Sequence, residues 1–307
     1  MTRIRMTRVL IIIIFVLLVV INVQLLRTPL GEGWEKSFQC NCNNEIRHEI
    51  LSDVTPYTKA TQQHASDNWG PHKLAVLVPF RGRYEELLEF APHIHEFLSR
   101  QKIHHDIWVI NQHDHFRFNR ASLLNIGHLL SKQTCDYLVM HDVDLLPTND
   151  NLSYTYPEKG PFHVSSPELH PLYHYKTFIG GIFIMTKEQY ERVNGLSNLF
   201  WGWGREDDEL YLRIREVGMP IFKPEGITTG YNTFIHLHDK ETRPRDQKRY
   251  YNQYEMSRKR DRETGLDTVK YTVVKQHNLT ISGAPVKFVH VQLDCDISKT
   301  PFCVNPT

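Results

Sequence analysis

Between residues 74 and 144 the chain alternates three short apolar runs with two helix-length stretches, and this alternation narrows its fold more than any other feature. LAVLVPF (74–80), HDIWVIN (105–111) and DYLVMHDVD (136–144) are apolar runs of strand length. Such runs fit strands buried on both faces. The stretch 84–100 carries Leu87, Leu88, Phe90, Ile94, Phe97 and Leu98 as the apolar surface of a helix, and Pro92 should kink or split it. NRASLLNIGHLLSK (119–132) predicts a second helix. Strand, helix, strand, helix, strand predicts an α/β unit with parallel strands. Ligands of such sheets bind beyond the carboxyl ends of the strands. Pro79-Phe80-Arg81, Gln112-His113-Asp114 and His141-Asp142-Val143-Asp144 fall there.

The rest of the chain reads more coarsely. KTFIGGIFIMT predicts a strand, KEQYERVN a short helix, and GITTGYNTFIHLHD (226–239) a strand ending in histidines. Residues 240–263 carry charges of both signs and predict a solvated helix. DTVKYTVV and VKFVHVQLD are further strand candidates. At the front, Arg3, Arg5 and Arg8 precede an apolar run over residues 9–26. About 18 residues sits near the lower limit for crossing a bilayer. A cleaved signal peptide competes, but no small-residue cleavage site follows the run. The expected order is a cytoplasmic tail (1–8), a transmembrane signal anchor (9–26), a stem (27–70) and a lumenal catalytic domain (71–307), with the basic side cytoplasmic. The triplets starting at Asn151 and Asn278 have the form of glycosylation acceptors. Five cysteines are too few for a disulfide scaffold. Cys295 and Cys303 are placed for a bridge, Cys135 for a buried thiol, and Cys40 and Cys42 are free or bridge between chains. A formal charge of +1 gives no electrostatic argument for nucleic acid.

The chemistry concentrates in FWGWGREDDEL (200–210). Trp201 and Trp203 offer flat surfaces that stack on sugars, and Gly202 and Gly204 free the backbone around Trp203. Glu206, Asp207, Asp208 and Glu209 open a helix. Acids there favour the helix dipole, which is the purely structural explanation; four adjacent carboxylates beside two tryptophans exceed what that needs. Asp142 and Asp144, if extended, point to one side and suit a hard divalent cation carrying a nucleotide diphosphate. His236 and His238 alternate likewise, and nitrogen beside oxygen ligands suits Mn²⁺ or another transition ion. Either pair alone is as readily an ordinary surface feature. Arg81, Arg83 and Arg120 suit phosphate, or simple salt bridges, and Phe118 could cover a nucleobase. No P-loop and no GxGxxG is present. These parts suit glycosyl transfer from a nucleotide sugar. A two-carboxylate glycoside hydrolase is the rival use of the acids, and it would not need the metal pair. A carbohydrate-binding protein would have no use for a base.

Taken together, PFRGR, FNRASLLNIG, DVD, GG, FWGWGREDDE and HLHD resemble the β-1,4-galactosyltransferase family, from about Leu74 to the C-terminus. Arg205 and the surroundings of the second histidine point to its xylose-accepting branch. The resemblance implies an α/β fold of GT-A type, a mixed and mostly parallel sheet flanked by helices. It also implies inverting, Mn²⁺-dependent transfer from UDP-galactose to the 4-hydroxyl of xylose on a proteoglycan core protein, at the Golgi membrane. By position it makes Asp207 the catalytic base, with Tyr173, Tyr175, Trp203, Glu206 and Asp208 at the acceptor. Pro79, Phe80, Arg81, Arg83, Phe118, Arg120, Asp142, Val143 and Trp203 fall to the donor, and Asp144, His236 and His238 to the metal. Another donor, or an N-acetylglucosamine acceptor, is the alternative within the same fold.

Overall fold

The computed structural model describes residues 69–298 and 300–304. The expected tail, anchor and most of the stem lie outside them, as do Cys40 and Cys42. Among the described residues no helix is long and apolar enough to cross a membrane.

The predicted alternation forms as β1 (Lys73–Phe80), α1 (Tyr84–Arg100), β2 (His104–Gln112), α2 (Arg120–Ser131) and β3 (Tyr137–His141). There follow β4 (Leu145–Pro147), β5 (Phe162–His163), β6 (Ile182–Thr186), α3 (Lys187–Arg192), α4 (Glu206–Glu216), β7 (Phe234–His236), α5 (Tyr250–Ser257), β8 (Tyr271–Ile281) and β9 (Ala284–Leu293). The main sheet has the order β5-β6-β3-β1-β2-β9-β8. Its four central strands are parallel neighbours. On both flanks the pairing turns antiparallel, β6 and β5 on one side and β8 on the other. Parallel and antiparallel pairings are therefore equal in number, and "mostly parallel" is corrected to mixed. On the C-terminal flank the cause is a hairpin: β8 turns back through Ser282 and Gly283, both at positive φ, into β9, which lies parallel beside β2.

Two apolar layers cover the sheet. Leu87, Phe90, Ile94, Phe97 and Leu98 of α1 pack on one face, and Leu123, Leu124 and Ile126 of α2 on the other. Helix α1 runs unbroken through Pro92. The carbonyl that proline leaves without a helical donor belongs to Leu88, which is 60% exposed and within reach of water. Asn119 caps α2, its side chain accepting from the Ser122 amide at 2.9 Å.

Three other expectations are shortened. KTFIGGIFIMT is a strand only from Ile182. GITTGYNTFIHLHD yields a 3-10 turn over Gly230–Thr233 and a three-residue strand. The charged stretch 240–263 is helical only over Tyr250–Ser257. Cys295 and Cys303 are bridged, and Cys135 is a buried free thiol.

Candidate active site

The carboxyl ends of β1 and β3, the start of α4 and the end of β7 surround a cleft of about 410 Å³. It is lined by Pro79, Arg81, Arg83, Phe118, Arg120, Asp142, Val143, Asp144, Tyr173, Tyr175, Trp203, Glu206, Asp207, His236 and His238. The chain thus gathers nearly every residue singled out in the sequence, across almost 160 positions. Of the residues assigned to the donor, the acceptor, the base or the metal, two do not line it. Phe80 is fully buried, its ring edge-on to Phe288 at 5.5 Å, so this side chain belongs to the core and not to a nucleotide pocket. Asp208 is ion-paired to Arg205 at 2.8 Å.

Asp142, Val143 and Asp144 do not continue β3 as an extended strand. They form the turn between β3 and β4, where the Leu145 amide donates to the Asp142 carbonyl. The turn sends the two carboxylates to different partners. Asp142 pairs with Arg120 at 2.7 Å. Asp144 faces His238, Oδ2 to Nδ1, at 3.7 Å. Burial and the charge of Asp142 push the Asp144 carboxyl up to about 6. His236 and His238 are both pushed down, first by burial and then by Arg245, so their imidazoles are neutral and able to act as ligands.

These residues fit a divalent cation in kind. Bonds of about 2.0–2.2 Å from one ion to each of two ligands allow the separation seen between Asp144 and His238. Nε2 of His238 is buried without a hydrogen-bond partner. In the structure Arg83 supplies the positive charge there, its guanidinium donating to His238 Nδ1 at 3.3 Å. Among the described residues no three His, Cys, Asp or Glu side chains are gathered tightly enough to hold an ion; the His236 and His238 rings stand 5.7 Å apart.

On the opposite wall α4 begins after Gly202, Gly204 and Arg205, all at positive φ. The turn makes unlike residues of the two tryptophans. Trp201 is 2% exposed and lies in the core, so the expected pair of stacking surfaces is reduced to Trp203. Trp203 stacks on Tyr250 at 5.7 Å, lies under the Arg245 guanidinium at 4.7 Å and approaches Tyr173 at 6.4 Å. Gly202 is required by close approach: a Cβ there would meet Nη2 of the buried Arg117 at 2.0 Å. Arg117 is itself fixed to Asp246 at 2.6 Å and to the Phe302 carbonyl at 2.9 Å. The loop backbone is pinned as well, Gly202 donating to the Phe118 carbonyl and Trp203 to that of Asp246.

The four acids of α4 are sorted by arginines. Glu206 contacts Arg120 at 3.5 Å, Asp208 holds Arg205, and Glu209 makes a fully buried pair with Arg213 at 2.7 Å. Asp207 alone has no ion pair among the described residues. Burial, then Glu206 and Asp208, hold its carboxyl well above the usual range. A Cβ on Gly180 would meet both Asp207 Oδ2, at 2.8 Å, and the Phe178 ring, at 2.6 Å, so the glycine gives this acid its place.

Sequence reasoning missed His170, Phe178, Arg245, Asp246 and Tyr250 in the cleft wall. His170 accepts from the Leu172 and Tyr173 amides at 3.0 and 3.1 Å and so shapes the loop bearing Tyr173. Burial pushes its imidazole down to about 3. Arg245 and Tyr250 come from the charged stretch 240–263, where no spacing distinguishes them from solvated neighbours. Arg81 lines the cleft, yet its guanidinium is committed to the Phe116 carbonyl at 2.6 Å and to Asp114 at 3.2 Å.

Residues 34–157 match the N-terminal region of glycosyl transferase group 7, and residues 160–237 match the N-terminal domain of galactosyltransferase. Human beta-1,4-galactosyltransferase 7 is 60% identical over 236 residues, covering 77% of this chain and 72% of that protein. The chain belongs to the β-1,4-galactosyltransferase family. Within it, the Caenorhabditis elegans xylosylprotein 4-beta-galactosyltransferase is 47% identical over 266 residues, 84% of this chain and 89% of that one. The catalytic domain of Drosophila beta-1,4-galactosyltransferase 7, solved with xylobiose, superposes with a TM-score of 0.74 at 52% identity. The match covers 76% of this galactosyltransferase and all of that chain. A mutant of the same Drosophila enzyme, solved with manganese, UDP-Gal and xylobiose, matches equally well.

Proposed function

We propose that this galactosyltransferase moves galactose from UDP-galactose to the 4-hydroxyl of a β-linked xylose on a proteoglycan core protein, with inversion and with Mn²⁺. The observation that carries the reading is Asp207, an unpaired buried carboxylate between the tyrosine loop and the DVD turn. The relatives named above supply the acceptor and donor class. Asp144, His236 and His238 are the residues that would hold Mn²⁺, which would supply positive charge for the departing diphosphate. Asp207 takes the proton of the attacking hydroxyl as the bond to the anomeric carbon forms on the face opposite the leaving group. Tyr173, Tyr175 and Trp203 give the acceptor its walls. Arg120, shared by Asp142 and Glu206, ties the donor wall to the acceptor wall. We place the enzyme in the Golgi membrane, anchored by residues 9–26 with its catalytic domain in the lumen. The apolar run behind three arginines supports this, as do acceptor triplets at Asn151 and Asn278, both exposed.

One preparation tests both parts: sealed vesicles carrying the full chain, against vesicles without it. They are given UDP-galactose and a β-xyloside, with and without Mn²⁺. The expected product is galactose β-1,4-linked to xylose, formed only with Mn²⁺, by an activity that trypsin destroys only after detergent is added. Transfer to N-acetylglucosamine but not to xylose would overturn the acceptor. Loss to trypsin without detergent would overturn the orientation.

A further inference from the structure

A second cleft, of about 720 Å³, opens on the far side of the tyrosine loop. The loop's side chains alternate between the two spaces. Tyr173 and Tyr175 line the active site, His174 and Lys176 line the second cleft, and Phe178 lines both. Asp207 and Phe178 both abut Gly180, so the second cleft begins one aromatic ring away from the base. Its charge is one-sided. Lys223 is paired with Glu168. Lys176 and Arg215 are exposed and have no carboxylate partner among the described residues; Arg215 rests only on the Tyr211 ring at 5.8 Å. Tyr231, 54% exposed and 4.3 Å from the His174 ring, gives one wall an apolar surface.

We propose that this cleft receives the polypeptide of the acceptor, and that it selects an acidic segment beside the xylosylated residue. The inference rests on the xylosylprotein reading above. An acceptor sugar held by Tyr173 and Tyr175 must lead its attached chain out of the cleft, and the shared Phe178 wall connects that exit with the unpaired cations. Helix α4 sets the distance. It presents Asp207 at its start and Arg215 eight residues on, a rise of about 12 Å. An extended peptide covers that length in about four residues. The favoured acceptor therefore carries Asp or Glu within about four positions of its sugar, and Lys176 and Arg215 read those charges.

The test compares three acceptors with the full-length enzyme: a xylosylated peptide with acidic flanks, the same peptide with Asn and Gln in their place, and a simple β-xyloside. The acidic peptide should have a KM about tenfold below the neutral one, the size expected of two partly exposed ion pairs. The preference should fade in high salt. In the double variant Lys176→Gln, Arg215→Gln the two peptides should become equal, with transfer to the xyloside unchanged. Equal KM values in the wild-type enzyme would overturn the proposal whatever the variant does. So would a preference that survives the double variant, or competition by a sulfated oligosaccharide but not by free acidic peptide. Failure of the wild type to use the xyloside at all would instead strike the acceptor assignment itself.

Discussion

The turn after β3 and the start of α4 both crowd carboxylates together, and they resolve the repulsion in opposite ways. At Asp142 and Asp144 the acids are split between Arg120 and the neutral His238. That wall leaves an acid poorly compensated: burial and the charge of Asp142 push the Asp144 carboxyl up. Along Glu206 to Glu209, arginines from α2, the preceding turn and α4 itself take three acids and leave the fourth. One cluster leaves Asp144 facing a neutral imidazole, with no ion-paired arginine of its own among the described residues. The other is compensated from within except at Asp207, whose carboxyl is held well above the usual range by burial and its acidic neighbours. Similar acid-rich strings therefore serve different chemistry according to where arginines stand around them.

Replacing Asp207 by Asn should have the largest effect on turnover. Losing a positioned base costs about a hundredfold to ten-thousandfold in kcat, and donor affinity measured by titration should barely move. Asp207 is also raised in pKa, so it must lose a proton to work. In the wild type kcat should fall on acidification, with a midpoint above the ordinary carboxylate range, and a flat profile down to pH 4 would assign the base elsewhere. Asp144→Asn should come next. It should weaken manganese activation by about a hundredfold or more, read as a shifted metal concentration at half-maximal rate, with rate partly recovered at high metal. If metal dependence stays the same, the two clusters have been told apart wrongly. Glu209→Gln should be smallest in activity, with kcat unchanged. Its loss appears in denaturant unfolding, at about 2 kcal/mol for a buried charge-assisted hydrogen bond, since Arg213 keeps its carbonyl partners. A large drop in kcat with native stability would move Glu209 into the chemistry.

Much of this was legible because strand ends are marked in sequence. An apolar run that stops at a charged residue identifies both the strand and the wall it faces, which located Pro79, Asp142 and Asp144. The rest depended on single backbone angles and distant neighbours. Trp201 and Trp203 look alike in FWGWG, and only the positive φ of Gly202 and Gly204 sends one to the core and the other to the cleft. Phe80 follows Pro79 directly, yet strand alternation turns it inward. Arg245 and Tyr250 acquire their place from Trp203, about forty-five positions earlier, and nothing in their own neighbourhood records that contact. The antiparallel flanks were hidden for a similar reason, since an apolar run does not state the direction of its partner.

Arg117 carries a consequence for where the catalytic centre ends. By the residues that line the cleft, it ends at Tyr250. By what holds the tryptophan loop in place, it ends at Cys303, because the last bridged turn accepts hydrogen bonds from the backbone and side chain of Arg117, which forms the floor under Gly202. A chain cut just before Phe302 would keep every residue that lines the cleft and still lose a foundation of the site.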